Sequence, residues 1–140
     1  MKYDPLNEKP GFVYGIQSLG LIKIGVAEDI EKRMNKMRLD NPHELTLVFK
    51  RTSRAPYTLE RQMHRLLADK AVGREWFRVT LEEVRAAAYT ARLETARLTT
   101  VYRQRFKIAV AKREKLAQLD AQSRTATSNI NGLGGNIGPI

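Results

Sequence analysis

Five side chains of this sequence combine the types that phosphodiester chemistry needs: Tyr14, Lys23, Arg33, Glu60 and His64. A divalent cation needs a hard oxygen ligand. One carboxylate, completed by waters and phosphate oxygens, suffices for magnesium, and Glu60 is the candidate. Charge building on the phosphate needs a fixed cation, a role open to Arg33. The attacking water needs a base. A tyrosine is a poor one at its ordinary pKa of about 10, unless a nearby cation favours phenolate. Lys23, placed opposite Tyr14 across a hairpin, would be that cation and would also grip a phosphate. Glu60 and His64 stand four apart and share one helix face, where the histidine would support the carboxylate. They make no zinc pair, because no third ligand accompanies them.

Each of these residues also has an unspecialised reading. Tyr14 fits a strand packed against its neighbours. Lys23 fits an edge strand that a charge protects from aggregation. Arg33 would pair with Asp29 one turn earlier, worth only about 0.3–0.5 kcal/mol on a surface. Glu60 would pair with His64 in the same way. Both kinds of reading stand at this point.

The elements that must position these groups follow from pattern. FVYGI and LIKIGVA alternate and are rich in β-formers, and Gly20 marks the turn between them. Phe12, Tyr14 and Ile16 share one face of the first, and Lys23 and Gly25 share one face of the second. A helix is predicted over 28–39, with Glu28, Asp29 and Glu31 at its positive end and Ile30, Met34 and Met37 as its apolar stripe. Asn41-Pro42 ends it. A third strand is predicted over 45–50 and a second helix over 56–70, with Leu59, Met63, Leu66 and Leu67 buried. REWFRV, 74–79, reads as a short strand or extended lid whose Trp76 and Phe77 close the core. Thr80 and Glu83 form a capping box for a long helix over 81–122. Its apolar seam at 3-4 spacing is interrupted at Thr95, Arg105 and Lys112, a coiled-coil-like pattern. The expected organisation is an arm at 1–10, a domain at 11–79, a long basic helix at 80–122 and a flexible tail at 123–140.

The 140 residues carry 25 Lys and Arg against 15 Asp and Glu, a net charge of +10, which favours a polyanionic partner. Between Arg97 and Lys115 seven basic residues face only Glu114. That stretch, with Arg103 and Lys107, would track phosphates and add non-specific affinity. There is no cysteine, which excludes disulfides, thiolate metal sites and a cysteine nucleophile. No apolar run is long enough to span a membrane, and the charged, proline-broken start is no secretory signal. A bacterial or phage-infected cytoplasm is the expected setting.

The ordered set resembles the GIY-YIG nuclease superfamily. Val13-Tyr14-Gly15 stands at its first motif and Lys23-Ile24-Gly25 at its second. Asp29 and Arg33 fit the following helix, and Glu60 fits a single metal-binding glutamate on a later one. The resemblance covers about residues 11–79. It implies an α+β domain with a small three-stranded antiparallel sheet flanked by helices, and metal-dependent cleavage of DNA. It implies Tyr14 as general base, Arg33 as phosphate-binding cation and Glu60 as ligand of Mg²⁺ or Mn²⁺. Lys23 stands where many members have a second tyrosine. Met37 stands where many have a histidine, and no asparagine follows the glutamate helix. Lysine in the second motif, glutamate then histidine, then EWF is similar to a phage and bacterial branch often described as a DNA-binding domain.

The function expected is therefore a metal-dependent DNA endonuclease. The alternative is a non-catalytic DNA-binding module that keeps the fold. A homodimer through the long helix is a further expectation.

Overall fold

A computed structural model gives the fold and describes residues 4–134, with side chains as far as 126. Residues 1–3 of the expected arm and 135–140 of the expected tail lie outside the described residues. Strands β1 (Gly11–Ser18) and β2 (Leu21–Ala27) form the hairpin. Helix α1 (Ile30–Asp40) follows, then β3 (Thr46–Ser53), helix α2 (Pro56–Leu66), a 3-10 turn (Ala68–Lys70), β4 (Trp76–Phe77) and helix α3 (Leu81–Gly134). The sheet is antiparallel throughout, in the order β3-β1-β2-β4.

The sheet has four strands where three were expected. The fourth is two residues long and pairs in the sheet with Ile22 and Lys23 of β2, while Phe77 also bridges to Ala71 on its other side. It lies inside REWFRV, 74–79, which reads as a short strand or extended lid, and a pair of residues shows no alternation that would place it in the sheet. Strand β3 runs past the expected end because Thr52 and Ser53 continue the ladder with Phe12 and Gly11. Helix α2 ends at Leu66 rather than 70, where the 3-10 turn redirects the chain so that Arg78 N–H donates to the Lys70 carbonyl. Helix α3 continues past Gln122 to Gly134, through residues that include no proline.

The hairpin turns on Leu19 and Gly20, both at positive φ (51° and 76°). Two consecutive positive torsions match the right-handed twist of the flanking strands. Glycine meets that demand freely, and Leu19 meets it at some strain on an exposed loop tip.

The sheet buries both faces, as its strand alternation allows. Val13, Ile22, Ile24, Phe49 and Phe77 pack against Leu59 and Met63 of α2 and against Val84, Ala88 and Ala91 of α3. On the other face Tyr14, Ile16 and Ala27 pack against Ile30 and Met34 of α1. Thr80 caps α3 by accepting from Glu83 N–H at 3.1 Å, and the Lys70–Glu83 and Arg65–Glu94 ion pairs tie its start to the α2 segment. The chain divides into two compact units, residues 1–102 and 103–140. The first holds the core described above. In the second, Arg103, Phe106, Lys107, Ile108, Leu116 and Leu119 are exposed on α3.

Helix α2 has no cap of its own. Ala55 precedes it and offers no side-chain acceptor. Glu8, nearly fifty residues earlier, supplies one: its carboxylate accepts from the N–H groups of Tyr57 (2.5 Å) and Thr58 (3.1 Å) and from the Thr58 hydroxyl. An anion at the positive end of a helix satisfies orphan donors and the helix dipole together. The arm thus fixes where α2 starts, one turn before Glu60.

Candidate functional site

Because β4 covers only the first half of β2, the outer edge from Gly25 to Ala27 is left open. It lines a cleft of about 730 Å³. Tyr14 enters it from β1, Arg33 from α1, Glu60 from α2 and Glu75 from the loop before β4. Three layers of the fold therefore meet at one gap in the sheet.

Tyr14 is 1% exposed. Its partner across the ladder is Gly25, and its ring lies over that glycine. A Cβ at Gly25 would stand 2.5 Å from the Tyr14 hydroxyl and 2.7 Å from Cζ, closer than any real side chain tolerates. The glycine is required by the ring above it, not by a backbone torsion.

The expected facing of Tyr14 by Lys23 is not found. Lys23 pairs with Ile16, one pleat along, and its ammonium lies 3.3 Å from the Glu75 carboxylate. The cation beside Tyr14 is Arg33. Side-chain hydrogen bonding to the Tyr14 phenol, and then its charge, raise the Arg33 pKa further; burial opposes this, and Glu75 and Tyr57 add to it. Arg33 Nε is buried and has no hydrogen-bond partner among the described residues. The surface pair with Asp29 does not form. Asp29 instead caps α1, accepting from Lys32 N–H at 3.1 Å.

Burial pushes the Glu60 carboxyl up to about 7; the neighbouring Glu75 charge adds to the shift and Lys23 offsets part of it. His64 stands behind Glu60 and does not line the cleft. Its Nε2 lies 3.4 Å from Glu60 Oε1 and donates to the Ile24 carbonyl at 2.9 Å. That carbonyl is on the part of the β2 edge where β4 gives out. The ring also packs edge-on against Phe77, 4.9 Å between centroids. His64 therefore ties Glu60 to the sheet edge.

The donor set suits a hard cation. Four carboxylates line the cleft, Glu28 and Asp29 at the start of α1 and Glu60 with Glu75 beside it, and no group of three or more His, Cys, Asp or Glu placed to hold a metal occurs among the described residues. Such a site leaves most positions to water and phosphate oxygens, which magnesium accepts and zinc does not. Arg103 and Lys107 belong to the second compact unit.

The T5orf172 domain matches residues 11–92. The chain belongs to the T5orf172 domain family. The match begins at the first residue of β1 and ends just after Ala91, the last residue of the main core cluster. No curated protein and no solved structure matches the chain. The likeness to GIY-YIG nucleases drawn from the motifs is thereby corrected: the family that matches is the T5orf172 domain. Val13-Tyr14-Gly15 and Lys23-Ile24-Gly25 are three residues each. The fold accounts for Gly25 by the close approach of Tyr14, so such motifs do not separate one family from another. Roles in this T5orf172 domain rest from here on the cleft itself.

Two residues of the cleft neighbourhood escaped sequence reasoning. Glu75 acts on Glu60, Arg33 and Lys23 at once, yet its place follows from the path of a loop. Glu8 caps α2 from across the chain. Its only local signal is the missing cap residue at Ala55. No helix among the described residues is long and apolar enough to cross a membrane.

Proposed function

We propose that this T5orf172 domain protein is a metal-dependent DNA endonuclease that hydrolyses phosphodiester bonds in the Tyr14–Arg33–Glu60 cleft. The observation that carries the reading is the meeting of these three groups at the open edge of β2, with Glu60 desolvated beside a second carboxylate. A carboxylate so placed gains from a cation that neutralises it. Glu60, with Glu75 beside it, would hold Mg²⁺ or Mn²⁺, which when bound supplies Lewis-acid polarisation of the phosphate. Arg33 binds the phosphate and offsets the charge that develops on its oxygens. Tyr14, its phenol oxygen beside the Arg33 guanidinium, is the general base that takes the proton of the attacking water. The water oxygen bonds to phosphorus, the opposite P–O bond breaks, and the leaving oxygen takes a proton from solvent. His64 holds Glu60 in place.

A second reading keeps the DNA and drops the chemistry. It is favoured by the cationic wall of the same cleft, Lys32, Arg33 and Lys36. Plasmid cleavage with Mg²⁺ or Mn²⁺ against EDTA, run beside Glu60→Ala, separates the two. The nuclease reading expects metal-dependent nicking or linearisation that Glu60→Ala abolishes while retaining most DNA binding. Salt-sensitive retention of DNA without any product supports the binding module and removes the nuclease.

A further inference from the structure

The cleft is one part of a longer depression. Arg33 and Lys36 line it and also line a neighbouring cavity of about 280 Å³ that passes Lys23 and reaches Trp76. Two hollows thus share one wall, the face of α1. The character of the lining changes along this path. Lys32 and Lys36, four apart, present ammonium groups on one helix face. Neither takes part in an ion pair among the described residues. The smaller hollow is also lined by Asp40, Asn41 and the half-buried indole of Trp76, which packs in part against the Tyr14 cluster.

Ammonium and guanidinium groups in a row match phosphates. An indole with hydrogen-bonding side chains next to it matches the face and edge of a nucleobase. A base within a duplex has both faces covered by its neighbours and has none to lay on an indole. The partner must therefore offer an unpaired base.

We propose that the groove from Glu60 to Trp76 binds a single DNA strand, its phosphates on Lys32, Arg33 and Lys36 and an unpaired base stacked on Trp76. The proposal rests on the phosphodiester reading of the cleft and names its substrate, DNA that is single-stranded or locally unpaired beside the bond to be cut.

Trp76 is the only tryptophan of the chain, so its emission reads the contact directly. Glu60→Gln protein in EDTA is titrated with oligothymidylate and, separately, with a blunt duplex of equal length. Saturable quenching by the strand and none by the duplex is expected. Unchanged emission at saturating strand, or equal quenching by the duplex, would overturn the proposal. Anisotropy of a labelled strand then gives the energetics. Trp76→Leu is expected to weaken binding by about 5- to 150-fold, Trp76→Phe by less, and Lys36→Ala to lower the salt slope by about 0.7. Unaltered affinity in all three would overturn it too. The emission experiment needs no change at Trp76, so it stands even where Trp76→Leu does not fold. Cleavage of a single-stranded circle in preference to a closed duplex supports the substrate. Equal cleavage of both refutes the substrate and leaves the nuclease. Quenching with no metal-dependent cleavage of either refutes the nuclease and leaves the groove.

Discussion

Replacing Glu60 by glutamine tests the electrostatics of the cleft before any substrate is added. The side chain keeps its shape beside His64 and loses its ability to ionise. Burial, with the Glu75 charge adding to it, pushes the Glu60 carboxyl up to about 7 in the fold against an ordinary 4.5. That difference corresponds to about 3.4 kcal/mol at about 1.36 kcal/mol per unit. The side chain is 18% exposed, so solvent screening brings the expected effect down to about 1–2 kcal/mol. The sign follows from proton binding. The folded state keeps this proton to higher pH than the unfolded chain, so it binds more protons in between, and stability falls as pH rises. The contribution is whole below about pH 4.5 and is lost as pH passes through about 7. Metal-free wild type is expected to lose about 1–2 kcal/mol relative to Glu60→Gln between about pH 5 and about pH 8. Urea unfolding followed by Trp76 emission at each pH measures it, as a midpoint difference of about 0.5–1 M. Parallel profiles would refute the account of Glu60. Magnesium at about a hundred times its Kd should then restore about 2.7 kcal/mol to wild type alone at the upper pH. An equal response from both proteins would remove Glu60 as the ligand.

Gly25→Ala places a methyl group against the Tyr14 ring. A loss of about 1–3 kcal/mol in unfolding free energy is expected, together with loss of cleavage as the hydroxyl moves; an unchanged melting temperature would show that the ring does not lie over this residue. Glu8→Ala removes the tethered cap of α2 and should cost about 0.5–2 kcal/mol by thermal unfolding, with faster amide exchange at Tyr57 and Thr58. Strand binding in EDTA near neutral pH brings phosphate charge to Glu60, raises its pKa and takes up protons. Calorimetry in buffers of different ionisation enthalpy should detect this in wild type and not in Glu60→Gln.

The sequence made some of this visible and hid the rest for physical reasons. The alternation of FVYGI and LIKIGVA shows which residues share a face, because the period of a strand is a local property. It does not show register. A slip of two residues leaves every face unchanged, so Tyr14 and Lys23 stay on one face while the partner of Tyr14 becomes Gly25. The stripes of α1 and α2 delivered Arg33 and Glu60 to the right helices. That they converge depends on β4 stopping after two residues, and no local pattern states where a strand pairing stops. Glu75 and Glu8 were invisible as partners for the same reason: each acts across a long stretch of chain on groups that its own neighbourhood does not reveal.

The residue that organises the cleft is the one whose identity is hardest to justify by stability. A glutamine at position 60 would fill the same space beside His64 without the cost of burying a charge. The chain instead keeps a carboxyl there and brings Glu75 close enough to push it up further. The cations at hand leave the conflict in place, since Lys23 is held by Glu75 and Arg33 interacts with Tyr14. A proton or a divalent cation would resolve it. Local conflicts that the surrounding fold tolerates are where functional sites are expected. Here the supports are unusually explicit for a surface cleft: a cap reaching from Glu8 to set α2, His64 tying Glu60 to an open strand edge, and Gly25 making room for Tyr14. Each of these fixes the position of a group lining the cleft rather than adding to the core.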